Sequence, residues 1–295
     1  MNKLAELLQS GKPILLDGAM GTMLFAAGLE SGHSPEEWNI LHPEKIRDIH
    51  RAYIEAGSQI ILTNTFGGSS VRLDSHSLAE RVFELNEAAA NNARAEADSA
   101  GHLVVVAGSI GPTGQLLEPL GTLTKEEALK SFAAQASGLA AGGVDMFWVE
   151  TMSDLEEVKA AVAGIRSVSD LPIAATMSFD SHGRTMMGVS PEQAAKVLQL
   201  EEIQLLGANC GTGSDELIEA IQAYKSTSPE LPLIAKANAG IPEISGTEVV
   251  YNGSPALMGD YAVKVWNEGA RLIGGCCGST PDHIQAMAEA LSKIA

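Results

Sequence analysis

The sequence predicts an α/β fold of the (β/α)8 class, a TIM barrel formed by a single domain. Short apolar runs alternate along the chain with stretches of helical period, which is typical of parallel strands joined by helices. Eight such runs are spread over 295 residues, and eight strand–helix units in roughly 250 residues are the usual size of this barrel. We therefore treat residues 1–295 as one barrel domain.

The eight apolar runs are short enough for strands and far enough apart to leave room for a helix between them. The predicted strands are Ile14–Leu16, Gln59–Thr63, Val104–Ala107, Met146–Val149, Ile173–Met177, Leu205–Ala208, Leu233–Ala235 and Leu272–Ile273. Between them, apolar residues recur at helical spacing, for example at Leu155, Val158 and Val162. Such stripes indicate helices packed against a sheet, and we assign no chemistry to them.

Three of the predicted helices end in glycine shortly before the next strand, at Gly57, Gly143 and Gly269. Glycine readily takes the left-handed conformation that ends a helix, so this repeated signal favours one repeating barrel over two domains.

The stretch Gly240–Pro255 follows the seventh strand and has no clear period. We predict a long loop there, of the kind that covers the site on the upper face of a barrel.

The composition favours a cytoplasmic protein. No apolar run approaches the roughly 18 residues of a membrane span, and Lys3, Glu6 and Lys12 interrupt the segment that a secretory signal would need uncharged. Three cysteines are too few for a disulfide scaffold, so reduced thiols are expected. A net charge of −18 without a Lys or Arg cluster argues against nucleic acid. The acidity is compatible with a cationic small substrate, and equally with simple solubility; it does not determine whether a homo-oligomer forms.

The residues that follow the predicted strands are unusually polar. In this fold the chemistry lies at the C-terminal ends of the strands, so these positions are the candidates for a site. They are Asp17, Thr63 with Asn64, Ser109, Glu150, Ser178, Asn209 with Cys210, Asn238, and Cys276 with Cys277. No histidine is among them, which disfavours a site built on histidine ligands.

All three cysteines of the chain follow strand six or strand eight. Three thiolates are the soft ligand set that zinc prefers, with the fourth tetrahedral position left for water or substrate. Adjacent side chains in a strand point to opposite faces, so Cys276 and Cys277 can share one metal only beyond the strand end. Gly274, Gly275 and Gly278 supply the backbone freedom for this. The alternative is that the cysteines are small buried hydrophobic residues.

Two carboxylates, Asp17 and Glu150, end strands one and four and are available to hold an ammonium group. Alternatively, they cap the helices that follow or accept hydrogen bonds from loop amides. The glycine-rich segment Asp17–Thr22 lacks the spacing of a phosphate-binding loop. We expect close approach of its backbone to a small ligand instead.

Seven segments of the chain, in order, resemble the homocysteine S-methyltransferase family. This family includes the N-terminal domain of cobalamin-dependent methionine synthase, betaine-homocysteine methyltransferase and S-methylmethionine-dependent enzymes. The matching segments are Asp17–Thr22, Thr63–Phe66, Gly111–Thr113, Val149–Thr151, Gly207–Cys210, Asn238–Gly240 and Gly275–Gly278 followed by Thr280 and Pro281. The resemblance spans nearly the whole chain and is closest to stand-alone bacterial members described as betaine-homocysteine methyltransferases.

The resemblance implies a role for particular residues. Cys210, Cys276 and Cys277 would bind zinc, and Asp17 and Glu150 would contact the amino group of homocysteine. The backbone amides near Gly18, Ala19, Met20 and Gly21 would receive its carboxylate, and Thr63, Asn64 and Asn209 are further substrate-binding candidates in the matching segments.

The resemblance implies zinc-dependent methyl transfer to the thiolate of L-homocysteine, giving methionine. The donor would be betaine or a sulfonium such as S-methylmethionine or dimethylsulfoniopropionate. Animal betaine enzymes carry an aromatic residue where this chain has Gly67 and Gly68. Aromatic faces hold such cations, so Trp38 and Trp148 are donor-side candidates, and each is equally well explained by packing.

Two alternatives remain open at this stage. The barrel fills the chain, so a separate methyl-corrinoid or methylfolate partner could carry the methyl group in place of a free donor. A non-catalytic zinc- or thiol-binding barrel would keep the cysteines without needing a pocket for the amino acid.

Overall fold

Eight parallel strands form one sheet that closes into a barrel, which confirms the predicted fold class. The computed structural model describes residues 3–211, 213–228, 230–245 and 248–294. The barrel strands are β1 (Ile14–Leu15), β2 (Ile60–Leu62), β3 (Val105–Ile110), β4 (Met146–Met152), β5 (Ile173–Met177), β6 (Leu205–Cys210), β7 (Leu233–Ala237) and β10 (Ala270–Gly275). Their order is β1-β10-β7-β6-β5-β4-β3-β2, and a parallel bridge between Leu16 and Ile60 joins the two ends.

Helices surround the barrel. They are α1 (Lys3–Gln9), α2 (Met20–Ala26), α3 (Trp38–Leu41), α4 (Pro43–Glu55), α5 (Ser70–Leu73), α6 (Val82–Ser99), α7 (Lys125–Ala141), α8 (Leu155–Arg166), α9 (Pro191–Leu198), α10 (Ser214–Thr227), α11 (Pro255–Glu268) and α12 (Pro281–Leu291). The predicted glycines end α4, α7 and α11: Gly57, Gly143 and Gly269 have φ of +107°, +85° and +111°. None of the described helices is both long and apolar enough to cross a membrane.

The strands are buried on both faces because helices cover the outside and side chains fill the inside. One apolar cluster lies within the barrel and includes Ile60, Met146 and Trp148, together with Leu4 and Leu7 of α1. Helix α1 therefore packs against the barrel interior. A second, larger cluster lies between the strands and the surrounding helices.

The segment after β7 differs from the predicted loop. Part of it forms β8 (Pro242–Ser245) and β9 (Glu248–Tyr251), which pair as an antiparallel ribbon. Four residues a strand are too few for an alternating pattern to stand out in the sequence. The ribbon is tied to the barrel where it returns, because the Gly253 amide donates to the Ala239 carbonyl at 2.8 Å and His283 Nε2 lies 2.8 Å from the Gly253 carbonyl oxygen.

Candidate active site

The structure brings the three cysteines together at the upper end of the barrel. Cys210 ends β6, and Cys276 and Cys277 follow β10, with only β7 between these two strands. The three sulfur atoms lie within 4.8 Å of one another, and Cys210 Sγ is 4.0 Å from Cys277 Sγ. Tetrahedral zinc with Zn–S bonds of about 2.3 Å places its sulfurs about 3.8 Å apart. The cluster therefore fits a zinc ion.

Irregular backbone allows two consecutive cysteines to face one point. Strand β10 ends at Gly275, just before them, and Gly278 has a φ of +77°. The Cys277 amide donates to Asn238 Oδ1 at 3.1 Å, and the Gly278 amide donates to Thr22 Oγ1 at 3.0 Å. One side chain that follows β7 and one from α2 thus hold the cysteine turn. The turn lies beyond the strand end, where the sequence predicted it.

Two non-glycine residues at the site have left-handed backbone. Thr151 in β4 has a φ of +60°, and Cys210 has a φ of +59°. This conformation is uncommon outside glycine and persists where the surroundings impose it, often at functional sites. The strain at Cys210 accompanies the turn of its sulfur towards Cys277.

Asn209 is not among the residues that line the cavity. Its side chain contacts two of the thiols. Its Oδ1 accepts hydrogen bonds from the Thr151 amide (2.9 Å) and the Thr176 hydroxyl (2.7 Å). Its Nδ2 donates to Thr151 Oγ1 at 2.7 Å and lies 3.5 Å from Cys210 Sγ and 3.8 Å from Cys276 Sγ. The amide is therefore fixed with its donor end towards two sulfurs.

The thiols share charge unequally. Hydrogen bonds with Cys210 and Cys276 lower the pKa of Cys277, and Tyr251 on β9 adds a further hydrogen bond that lowers it. Hydrogen bonds with Cys276 and Cys277 raise the pKa of Cys210. Negative charge is thus favoured on Cys277. The sequence does not indicate Tyr251, because this residue lies in the segment predicted as a loop, where the position of a side chain cannot be inferred.

A cavity of about 320 Å³ opens beside the three sulfurs, at the small end of the usual range for ligand pockets, about 300–1,000 Å³. Its lining includes most of the residues predicted from the strand ends and the glycine-rich segment: Asp17, Gly18, Ala19, Met20, Gly21, Thr63, Asn64, Ser109, Glu150, Cys210, Cys276 and Cys277. The cysteine cluster and the residues predicted to form the amino-acid pocket therefore line one cavity.

Glu150 is a buried carboxylate without an ion-pair partner among the described residues. Its Oε1 accepts a short hydrogen bond from the Ser109 hydroxyl, and no Lys, Arg or His nitrogen of the described part lies within 4.0 Å of it. Burial raises the pKa of Glu150 to about 7, although the charge of Lys236 opposes this. Glu150 is thus available to form an ion pair with an incoming cation.

Asp17, in contrast, is already paired. Lys236 Nζ of β7 donates to Asp17 Oδ1 at 2.9 Å, and both side chains are 3% exposed. Asp17 Oδ2 accepts the Leu62 amide at 2.6 Å. The sequence does not indicate Lys236, because the seventh predicted strand ends at Ala235 and Asn238 is the polar residue predicted at its end.

The polar side chains of Thr63 and Asn64 are engaged inside the protein. Thr63 Oγ1 accepts the Ser109 amide at 3.0 Å, and Asn64 Nδ2 donates to the Pro35 carbonyl at 2.7 Å. Gly18 packs closely against the rest of the chain, because a Cβ at this position would lie 2.7 Å from Ser279 Oγ. Its lack of a side chain allows close packing within the chain, and its backbone lines the cavity.

The two tryptophans proposed for the donor side are not among the residues that line the cavity. Trp148 is fully buried inside the barrel, with Lys236 Nζ 5.8 Å from its ring centre. Trp38 is 8% exposed and packs edge-on against His42. Packing within the protein explains the position of both rings, and their role on the donor side stays a prediction. The aromatic residue that lines the cavity is Phe66, which is 41% exposed.

Comparisons with known proteins find relatives that cover nearly the whole chain. A family model described as homocysteine S-methyltransferase matches residues 14–291. Proteins named methionine synthase from Mycobacterium leprae and Mycobacterium tuberculosis are each 32% identical over 94% of this chain and 24% of their own length. The chain thus spans about a quarter of these curated relatives.

Among solved structures, the metallated form of the homocysteine methyltransferase MmuM from Escherichia coli is similar along its whole length. The two chains are 26% identical, with a TM-score of 0.81 over 98% of this chain and 99% of that one.

Proposed function

Since this chain belongs to the homocysteine S-methyltransferase family, we propose that it transfers a methyl group from a small cationic donor to the thiolate of L-homocysteine, giving methionine. The donor would be betaine or a sulfonium such as S-methylmethionine or dimethylsulfoniopropionate. The observation that carries the proposal is the single cavity that joins three clustered sulfurs to the buried carboxylate of Glu150.

We propose zinc as the metal, held by Cys210, Cys276 and Cys277. The spacing of the sulfurs and their soft chemistry support this choice, and the MmuM structure that this chain resembles is described as metallated. When bound, zinc favours the deprotonated form of a thiol and so supplies a nucleophilic sulfur at neutral pH.

The residues of the cavity position the substrate. Glu150 would hold the ammonium group of homocysteine, and amides of the Gly18–Gly21 segment would receive its carboxylate. The Ala19 amide already donates to Ser279 Oγ at 3.1 Å, which leaves the amides of Gly18, Met20 and Gly21 as the candidates. The family resemblance assigns Asp17 to the ammonium group as well, but its two oxygens are bonded to Lys236 and Leu62.

In the reaction, the homocysteine sulfur forms a bond to the methyl carbon. The bond between that carbon and the donor nitrogen or sulfur breaks, and its electron pair stays with the donor. Positive charge on the donor and negative charge on the nucleophile cancel in this step, so a cavity that excludes water favours it. The barrel contributes alignment of donor and acceptor, and Phe66 offers an aromatic surface to the cationic donor.

A second candidate follows from the length of the relatives. The methionine synthases that this chain matches are about four times as long as the matched part. The methyl group could then come from a separate partner that carries it on a corrinoid or a folate, with the same homocysteine site.

Methionine formation by the zinc-loaded protein tests the proposal. Homocysteine is supplied with glycine betaine, dimethylsulfoniopropionate or S-methylmethionine as the sole methyl donor. We expect methionine with at least one of them. Methionine only with methylcobalamin or methylfolate would favour the second candidate, and tight zinc binding without any homocysteine binding would indicate a non-catalytic zinc barrel.

A further inference from the structure

A third buried carboxylate, Glu36, lines the cavity together with Asp17 and Glu150. The family resemblance assigns the other two to the ammonium group of homocysteine, whereas Glu36 has no assigned role. It lies in a single turn of 3₁₀ helix, Pro35–Glu37, between α2 and α3, and it is 4% exposed. The proposed reaction brings two cationic groups into this cavity, the ammonium of homocysteine and the cationic centre of the donor. Glu36 is therefore available for the second.

No cation of the described part of the protein cancels the charge of Glu36. Its Oε1 accepts the Gly67 amide at 2.7 Å, and its Oε2 accepts the Ser34 hydroxyl at 2.8 Å. Both donors are uncharged, and no Lys, Arg or His nitrogen of the described residues lies within 4.0 Å of either oxygen. The carboxylate is thus removed from water without an opposite charge, so a cation that enters from the cavity should bind to it favourably.

The aromatic ring of Phe66 belongs to the same part of the cavity lining. Phe66 precedes Gly67, whose amide donates to Glu36, and Asn64 Nδ2 donates to the Pro35 carbonyl at 2.7 Å. Two hydrogen bonds thus join the loop that follows β2 to the turn that carries Glu36. A quaternary ammonium or a sulfonium has no N–H to donate, so it is held by negative charge and by aromatic faces. Glu36 and Phe66 supply one of each.

We propose that Glu36 and Phe66 form the subsite for the cationic centre of the methyl donor, and that Glu36 selects a charged donor over an uncharged molecule of the same shape. This inference rests on the proposed function. The ligand class is a small carboxylate that carries a quaternary ammonium or a sulfonium. The positive charge of the donor disappears as the methyl group leaves, so Glu36 contributes to donor binding and does not accelerate the transfer step.

The test measures how well the zinc-loaded protein distinguishes a cation from its uncharged isostere. Glycine betaine is compared with 3,3-dimethylbutanoate, and dimethylsulfoniopropionate with 4-methylpentanoate, in which carbon replaces the charged nitrogen or sulfur. Binding is followed by calorimetry without homocysteine, so that no methyl group is transferred. The wild type should prefer the cation of at least one pair by roughly tenfold or more, as expected for a cation between an aromatic face and a carboxylate. Glu36→Gln should lose most of this preference.

Glu157→Gln is the matched control. Glu157 is also a buried carboxylate that accepts one backbone amide and one hydroxyl, both from Thr113, at 2.8 Å and 2.6 Å. It is not among the residues that line the cavity. Glutamine at either position keeps an acceptor for the amide, and Glu157→Gln should keep the wild-type preference. An equal loss of preference in the two variants would show that Glu36 only holds its loop in place, and the inference would be wrong.

Glu150→Gln separates the two subsites. It should weaken homocysteine binding and leave the preference for the cationic donor within a few-fold of wild type. If Glu36→Gln keeps the preference, whatever Glu150→Gln does, the inference is wrong.

The wild type alone also tests the inference, should a variant not fold. Binding of homocysteine without a preference for either cation would overturn the donor subsite and leave the homocysteine site standing. Failure of the zinc-loaded wild type to bind homocysteine would refute the proposed function itself.

Discussion

Asn209 and Thr151 exchange two hydrogen bonds across the top of the barrel, with the Asn209 oxygen 2.9 Å from the Thr151 amide and its nitrogen 2.7 Å from Thr151 Oγ1. The same nitrogen lies 3.5 Å from Cys210 Sγ. Strand β4 therefore orients a thiol on strand β6 through one amide side chain. Groups that orient metal ligands in this way are worth about 10–100-fold in metal affinity.

Asn209→Ala should lower zinc affinity by roughly 10–100-fold. The buried control is Asn92→Ala, which removes a bond from Asn92 Nδ2 to the Asn39 carbonyl at 2.9 Å. Both variants should lose some stability, but only the first should lose zinc to a competing chelator. Equal zinc affinities in the two variants would show that Asn209 has no part in holding the thiols.

Glu150 should give ligand binding a pH dependence. L-methionine is the best probe, because its sulfur has no proton to lose. The pKa of Glu150 is raised to about 7, so affinity should rise with pH up to about 7 and level off above it, as the carboxylate becomes available to the ammonium. Glu150→Gln should bind more weakly and lack this rise. If the affinity of Glu150→Gln for L-methionine still rises with pH, another group is responsible for the rise.

The same shift has a consequence for stability. A folded-state pKa above the ordinary 4.5 means that the folded protein binds more protons than the unfolded one between pH 4.5 and about 7. The contribution of Glu150 to the free energy of unfolding therefore falls as pH rises through this window. Urea unfolding of wild type and Glu150→Gln is measured at both ends of the window. The difference between their free energies of unfolding should be smaller at the low-pH end.

Gly278 should be needed for the cysteine turn. Gly278→Ala places a Cβ 2.3 Å from Tyr251 Cγ, at a φ of +77°. Gly11→Ala is the matched control, because Gly11 has a φ of +72° and nothing within 4 Å of the added carbon. Both should lose about 1–2 kcal/mol of stability from the left-handed backbone. Only Gly278→Ala should also weaken zinc binding. Unchanged zinc affinity in this variant would mean that the β8–β9 ribbon shifts to accommodate the added carbon while Cys277 keeps its position.

Phe66 should act on the donor side. Phe66→Ala should raise KM for the methyl donor, with KM for homocysteine little changed, because the ring lines the cavity and attracts cations. Phe83→Ala is the control, since Phe83 is 47% exposed and outside the cavity lining. Equal KM values for the methyl donor in wild type and Phe66→Ala would show that Phe66 does not contribute to donor binding.

The barrel and the meeting of the three cysteines at its upper end could be predicted from the sequence because they depend on local patterns. Apolar runs mark the strands, and the polar residue after each run marks the upper face. Lys236 could not be placed in this way, because its partner Asp17 is 219 positions away and a lysine inside an apolar strand looks like the end of that strand.

Side-chain direction was the other limit. Trp148 lies in an apolar run near the site, but whether its ring points into the barrel or towards the cavity depends on the register of β4. Likewise, the neighbourhood of Asn209 in the sequence does not reveal its bonds to Thr151, 58 positions away. The ribbon that carries Tyr251 was missed because its strands are only four residues long.

The most direct test of the central claim is zinc K-edge X-ray absorption of the loaded protein before and after homocysteine is added. We predict three sulfur neighbours from Cys210, Cys276 and Cys277, and a fourth when homocysteine binds. Cys277→Ala should lose zinc, and Ser181→Ala, at an exposed turn, should behave as wild type. An unchanged sulfur count with homocysteine present, or full zinc occupancy in Cys277→Ala, would contradict the account.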